Sequence, residues 1–296
     1  MERTCAASGT HLCVGVRRLA AAALAAFASM AVSAEPGSAS FLTSDGVRLR
    51  VLEAGAHGTD QPVLAFVPGW SMPASIFRQQ LAALGERHPV AVLDPRGQGE
   101  SEVPAAGYAI ARRARDVGEF VARYRRVILV GWSLGALEAL EHVRAQGAAG
   151  VLALVLVDSS VGEEPPPAAG GSFVAELRRD RAATINRFVR DIFRSPRPEA
   201  ELLALRDQAL RMPLEASIAL FPSSVPREHW RAIARGFPKP LLYAVTPQLA
   251  EQAQNLRRAR PATRIEVFSD AGHALFADEA ERFNRLLETF VAETAK

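Results

Sequence analysis

The stretch Arg126-Val127-Ile128-Leu129-Val130-Gly131-Trp132-Ser133-Leu134-Gly135 constrains the fold more than any other part of the chain. Val127 to Val130 is an unbroken β-branched and aliphatic run, the next five residues fit G-x-S-x-G, and Ala136 to Val143 reads as helix. A strand that passes through one tight turn into a helix is the context of a nucleophile elbow, where a serine occupies the apex of a strained turn. Gly131 and Gly135 lack Cβ atoms, so neighbouring backbone can pack close to that turn. The serine oxygen then projects away from the sheet, and the following helix directs its N-terminal N–H groups back toward it.

The rest of the chain has the periodicity such a strand needs around it. Ser38 to Gly55 reads as two short strands about the turn Asp45-Gly46, with Val47, Leu49 and Val51 alternating with Arg48 and Arg50. Val63–Val67, Val90–Leu93, Val151–Val157 and Leu241–Val245 are continuous apolar runs, as strands covered on both faces require. Helical patterns over Ser75–Leu84, Tyr108–Tyr124 and the stretch after Gly135 separate them, and a last strand, Ile265–Phe268, precedes a final helix. Strands alternating with helices predict an α/β fold with a mostly parallel, doubly wound sheet. The alternation stops after Asp158. Residues 163–171 are rich in Pro, Gly and Ala, and from Phe173 to about Gly236 the pattern is helical, with Ile185, Phe188, Val189, Ile192 and Phe193 on one face. We therefore expect a core of residues 35–160 and 239–296 and a helical cap, 161–238, over the strand ends.

Composition matters mainly at the N-terminus. Arg17-Arg18, an apolar run from Leu19 to Val32 broken only by Ser29, and Val32-Ser33-Ala34 form a basic region, a hydrophobic region and a small-residue cleavage site in order. Residues 1–34 are expected to be an export signal, too short in its apolar part for a comfortable membrane span, so that the mature protein is periplasmic or secreted with no stable membrane insertion. Both cysteines, Cys5 and Cys13, fall in that segment, which leaves no thiolate chemistry or disulfide in the remainder. The net charge of +3 falls to +1 once three arginines and one glutamate are removed, too balanced to argue for nucleic acid. No His/Asp/Glu cluster has metal-ligand spacing, and no phosphate loop or dinucleotide fingerprint is present, so no cofactor is expected.

Four segments in order, Val67-Pro68-Gly69-Trp70, Asp94-Pro95-Arg96-Gly97-Gln98-Gly99-Glu100-Ser101, Gly131-Trp132-Ser133-Leu134-Gly135 and Asp270-Ala271-Gly272-His273, make the chain resemble the α/β-hydrolases with an inserted helical cap, over nearly all of residues 40 to 295. The resemblance is nearest to small capped esterases and their perhydrolase, lactonase and C–C hydrolase relatives. It implies Ser133 as nucleophile and His273, just past the last strand, as base. A serine hydroxyl needs such a base, and the base an orienting carboxylate. Histidines 57, 88, 142 and 229 lie in loops, on the helix after the elbow or in the cap, and are expected to be structural or solvated. The acid departs from the family pattern. The strand after the cap runs into Thr246-Pro247-Gln248, with no carboxylate before Glu251. Asp158, at the end of the preceding strand, is the favoured acid and Glu251 the alternative. By the same resemblance the backbone N–H groups of Trp70 and Leu134 form the oxyanion hole. Arg96 and Gly97 are architectural. Trp132, Phe188 and Phe221 are expected to face the pocket, among cap residues that also include Phe173, Phe193, Met212 and Trp230.

These expectations converge on a serine esterase for a small apolar carboxylic ester or lactone, working through an acyl-enzyme. Two alternatives remain open at this point. The same residues could serve a lyase, C–C hydrolase or perhydrolase, since chemistry resides in the pocket and not in the fold. A non-catalytic binding protein could also use a capped pocket, and the missing acid after the cap is its best support.

Overall fold

A computed structural model describes residues 36–58, 60–167, 173–222 and 224–294. The expected export signal lies outside the described residues, as do residues 168–172, which include the end of the Pro/Gly/Ala-rich linker. Among the described residues no helix is long and apolar enough to cross a membrane.

Among the described residues, eight strands form one sheet. In chain order they are β1 (Gly37–Leu42), β2 (Arg48–Ala54), β3 (Val63–Val67), β4 (Val90–Asp94), β5 (Val127–Trp132), β6 (Val151–Val157), β7 (Leu241–Val245) and β8 (Arg264–Val267). Their order across the sheet is β1-β2-β4-β3-β5-β6-β7-β8. β1 and β2 pair antiparallel, and β2 pairs antiparallel with β4. The other pairings are parallel, so β3 and β5, which lead into the Pro68-Gly69 loop and the elbow, lie side by side with Val67 opposite Gly131.

The apolar runs are explained by two cores, one on each face. Along β3, Leu64 and Phe66 join one core while Val63, Ala65 and Val67 join the other, the period-2 alternation of a pleated strand with both faces covered. The first core takes its cover from α1 (Arg78–Gly85) through Leu81 and Leu84. The second is covered by α2 (Ile110–Val121) through Val117 and Phe120, and by α3 (Leu134–Gln146) through Ala136, Ala139 and Leu140. Burial of such side chains stabilises by about 1.5–3 kcal/mol each relative to leaving them exposed.

The helical stretch after β6 divides between these cores. Helices α4 (Phe173–Arg179), α5 (Arg181–Asp191) and α6 (Glu199–Leu210) feed Leu177, Ile185, Val189, Leu202 and Leu205 into the core that holds Trp70 and Trp132, and α7 (Leu214–Ala219) packs Leu214 and Ile218 against it. Helix α8 (Arg227–Gly236) does not join them. Its Trp230 and Ala234, one turn apart, pack in the opposite core with α3 and with Ala253 and Leu256 of α9 (Ala250–Ala259). Trp230, expected among the cap aromatics, is thus a core residue on the other face. The chain ends with α10 (Leu275–Asp278) and α11 (Ala280–Thr294), whose Phe283 and Leu287 return to the first core.

Candidate active site

Three non-glycine residues among those described have positive φ, and all three are at the ends of parallel strands near one cavity: Ser71 at 56°, Ser133 at 54° and Asp158 at 43°. Such strained backbone costs about 1–3 kcal/mol per residue and persists where the surroundings over-determine it. Ser133 sits between β5 and α3. Its N–H donates to the Val157 carbonyl at 2.9 Å, which ties the turn to the end of β6. The flanking glycines are required by close approach. A Cβ on Gly131 would lie 2.5 Å from the Gly135 carbonyl oxygen, and one on Gly135 would lie 2.3 Å from that of Val67.

Asp158 and His273 meet directly. Asp158 Oδ2 lies 2.8 Å from His273 Nδ1, and its other oxygen accepts from Thr246 twice, from the backbone N–H and from Oγ1, each at 2.8 Å. The carboxylate is 7% exposed and fully engaged, so its orientation is determined by three donors. Of the two candidate acids, Asp158 is the one beside His273. The end of β7 carries no carboxylate, but Thr246 there holds the carboxylate that comes from the end of β6. Glu251 is exposed on the first turn of α9.

The histidine loop is held on both sides of the ring. Gly272 N–H donates to Asp278 Oδ2 at 2.8 Å, Ala274 N–H to the Ile192 carbonyl at 2.8 Å, and the Trp132 indole N–H to the His273 carbonyl at 2.9 Å. Asp278 also accepts from the backbone of Arg194 and Ser195 and from the Ser195 hydroxyl, which binds the loop to the segment after α5. Despite the burial of Asp278, these hydrogen bonds hold its carboxyl below the usual carboxylate range.

Ser133, Asp158 and His273 line one cavity of about 310 Å³, together with Trp70, Leu134, Leu137 and Phe221. Among the described residues no hydrogen bond joins Ser133 Oγ to the imidazole; the two meet as neighbours on the cavity wall. Among the described residues Asp158 is the only carboxylate in the lining, which has no Lys or Arg and otherwise adds Ser159, Ser160, Gln248 and Leu249. A larger groove of about 480 Å³, lined by Val143, Arg144, His229, Ile233 and Phe237, shares no residue with it and holds no serine, cysteine or carboxylate pair.

The three residues expected to face a substrate fall in different places. Phe221 is on the cavity wall, stacked on Trp70 with ring centroids 5.2 Å apart. Phe188 lies edge-on to Trp70 at 5.2 Å, outside the lining. Trp132 is 1% exposed and packs against the His273 ring, so it braces the imidazole from behind. Trp70 itself is held by its indole N–H, which donates to the Ser217 carbonyl at 2.6 Å. Leu134, the first residue of α3, carries one of the four helix-opening N–H groups that have no partner within the helix. Gly69 lets the neighbouring loop come close, since a Cβ there would lie 3.0 Å from the Ser133 Cβ and 3.1 Å from the Trp132 ring.

The Asp94-to-Ser101 segment, buried apart from Glu100, is scaffolding behind that loop. Asp94 accepts from the backbone of Ala74 and Glu100 and from Arg50, and Arg96 pairs with Asp116 at 2.5 Å and Asp45 at 3.0 Å. Sequence reasoning reached Arg96 as architectural, and missed Gln98, Thr246 and Asp278. Gln98 lay in a quoted motif. Thr246 stands at the strand end where the family pattern has a carboxylate, and its donor groups meet Asp158 instead.

A family model, the alpha/beta hydrolase family, matches residues 64–286. Among curated proteins, a pimeloyl-[acyl-carrier protein] methyl ester esterase of Vibrio atlanticus is 29% identical over 253 residues, covering 77% of this chain and 94% of that protein. Among solved structures, an esterase from Exiguobacterium antarcticum superposes with a TM-score of 0.75 at 22% identity, covering 86% of this chain and 98% of that one. A bromoperoxidase from Bacillus anthracis has the same TM-score, 0.75, at 18% identity, covering 86% of this chain and all of that one. Strand order, elbow, motif order and the family match agree, and the chain belongs to the alpha/beta hydrolase family.

Proposed function

We propose that this protein is an exported serine esterase for small, uncharged carboxylic esters, lactones included. The observation that carries the reading is the 2.8 Å pairing of His273 with Asp158 on the wall of the cavity that Ser133 also lines. The lining supports an uncharged substrate, because its described residues include no Lys or Arg to meet a carboxylate or phosphate and no carboxylate beyond the one engaged by His273 and Thr246. The esterase name of the Vibrio relative supports ester chemistry over the lyase and perhydrolase alternatives.

In the proposed mechanism Ser133 Oγ attacks the ester carbonyl carbon while His273 Nε2 takes the hydroxyl proton. Asp158 keeps the other ring nitrogen protonated, so that Nε2 is free to accept. The carbonyl oxygen becomes an oxyanion stabilised by the N–H groups of Trp70 and Leu134. The tetrahedral species collapses, the C–O bond to the alcohol breaks, and the imidazolium gives its proton to the leaving oxygen. Water repeats the sequence on the acyl-Ser133 ester and releases the acid. The histidine loop and the Asp158 carboxylate are each held by several hydrogen bonds, which favours a preorganised base over one assembled on binding.

The test is hydrolysis of p-nitrophenyl acetate, butyrate and laurate by the parent protein, Ser133→Ala and His273→Ala. Short esters should be turned over and both variants should lose at least about a thousandfold in kcat. Unchanged turnover by Ser133→Ala would sink the reading. For the export signal, the protein recovered from outside the cytoplasm should begin near Glu35, and recovery there with residues 1–34 intact would count against cleavage.

A further inference from the structure

The two N–H groups assigned above to the oxyanion hole belong to segments far apart in the chain. Leu134 opens α3, and Trp70 lies in the loop after β3. Both must point at the same oxygen, within about 2.7–3.1 Å, for the stabilisation to be large. The helix fixes Leu134. The loop has no regular structure to fix Trp70, and it contains the strained Ser71 and a tight turn in which Met72 N–H reaches the Gly69 carbonyl at 3.2 Å.

Gln98 closes that gap. It is 1% exposed, and its side-chain nitrogen donates to the carbonyls of Gly69 at 3.0 Å and Met72 at 2.7 Å, the two residues that bracket Trp70 and Ser71. Its side-chain oxygen accepts from both terminal nitrogens of Arg113, each at 3.1 Å. Arg113 has only donors, so the carboxamide has a single orientation, oxygen to Arg113 and nitrogen to the loop. Arg113 is itself buried and pairs at 2.8 Å with Glu138. Glu138 stands four residues after Leu134, on the same face of α3. One buried polar chain, Glu138–Arg113–Gln98, therefore runs from the helix that carries Leu134 to the loop that carries Trp70. A buried ion pair is poor value for stability alone, because desolvation offsets much of its attraction.

We infer that Gln98 is a positioning residue for catalysis, holding the Gly69–Met72 loop so that Trp70 N–H and Leu134 N–H converge on the oxyanion. The inference rests on the proposed esterase reading. Gln98 touches no substrate; it acts through the loop.

The experiment compares the parent protein with Gln98→Met, which keeps the length and removes every hydrogen bond, and Gln98→Glu, which keeps the acceptor for Arg113 but removes the donor to the loop. Three quantities are read: kcat and KM on p-nitrophenyl butyrate, the inhibition constant of an alkyl trifluoromethyl ketone whose hemiketal oxygen mimics the oxyanion, and the melting transition. Both variants should lose about 10- to 100-fold in kcat. Binding of the ketone should weaken by a similar factor while KM stays within about threefold. Variants that melt cooperatively yet keep parental kcat and ketone affinity overturn the assignment. So do variants that no longer melt cooperatively, since Gln98 would then be a folding residue. If Gln98→Glu matches the parent while Gln98→Met is impaired, the contact to Arg113 is the one that matters and the loop-holding role is overturned. A parent protein inert to both ester and ketone overturns the functional reading itself, and this inference with it.

Discussion

The substitution Asp158→Asn puts the proposed charge arrangement to a sharp test, because the structure dictates how the new side chain must sit. Asp158 Oδ1 accepts from Thr246 N–H and Oγ1, and Oδ2 faces His273 Nδ1. The Thr246 backbone N–H is a fixed donor and demands an acceptor. An asparagine must therefore turn its oxygen to Thr246 and its NH2 to the imidazole. That NH2 can only donate, so Nδ1 becomes the acceptor and the ring proton moves to Nε2. The nitrogen facing Ser133 then carries a proton and cannot take another. The loss expected from an inverted tautomer is about a thousandfold to ten-thousandfold in kcat, or roughly 4–5.5 kcal/mol in barrier. KM should change little, since the substrate does not bind to this carboxylate. The assay is steady-state hydrolysis of p-nitrophenyl butyrate, with Glu251→Gln as the companion variant. Glu251 is exposed on α9, and its amide should leave the rate within twofold of the parent. Parental kcat in Asp158→Asn, or a collapse confined to Glu251→Gln, would refute the assignment of the acid.

Two further perturbations follow from packing and burial. Gly69→Ala places a Cβ 3.0 Å from the Ser133 Cβ and 3.1 Å from the Trp132 ring; forcing the loop away should cost about 1–3 kcal/mol in stability and about tenfold or more in kcat, read from a melt and an ester assay, and a fully active variant would show that the loop can retreat freely. His142 on α3 is buried with both ring nitrogens unpartnered, and burial pushes it down to about 4. Its folded pKa lies below its unfolded value near 6.5, so its neutral form is favoured in the fold. Stability is then complete above about pH 6.5 and falls as pH drops toward 4, by about 1–2 kcal/mol at pH 5. His142→Leu should remove that part of the slope, so the variant gains on the parent between pH 8 and pH 5 in urea titrations. Glu138, pushed up to about 7 by burial, has the opposite slope and is common to both proteins. A parent and variant with parallel pH profiles would refute the His142 account.

Much of this architecture could be read before any coordinates, and the reason is periodicity. Continuous apolar runs such as Val63–Val67 and Val151–Val157 mark strands covered on both faces, and they are strands β3 and β6. The elbow is equally local, since glycine, serine and glycine at that spacing define a turn wherever a strand and a helix flank them. What escaped is what depends on which distant segments meet. The pattern of α8 says that Trp230 and Ala234 share a buried face, and says nothing of which core receives them. The missing carboxylate after β7 was visible as an absence. Asp158 is legible as a candidate at the end of the preceding strand, but the two donations it receives from Thr246 across the sheet are not. Gln98 is the same case, because a sequence separation of 29 from Gly69 conceals a 3.0 Å contact.

The proposed esterase chemistry requires Ser133 to form a covalent acyl intermediate. Its most direct test is intact-protein mass spectrometry after rapid acid quench of the protein mixed with excess p-nitrophenyl butyrate, followed by mapping of the modified peptide. One butyryl group should appear within the first turnover, on Ser133, and be absent from Ser133→Ala. Ester hydrolysis that proceeds with no adduct trapped, or with the adduct on another residue, would contradict the account.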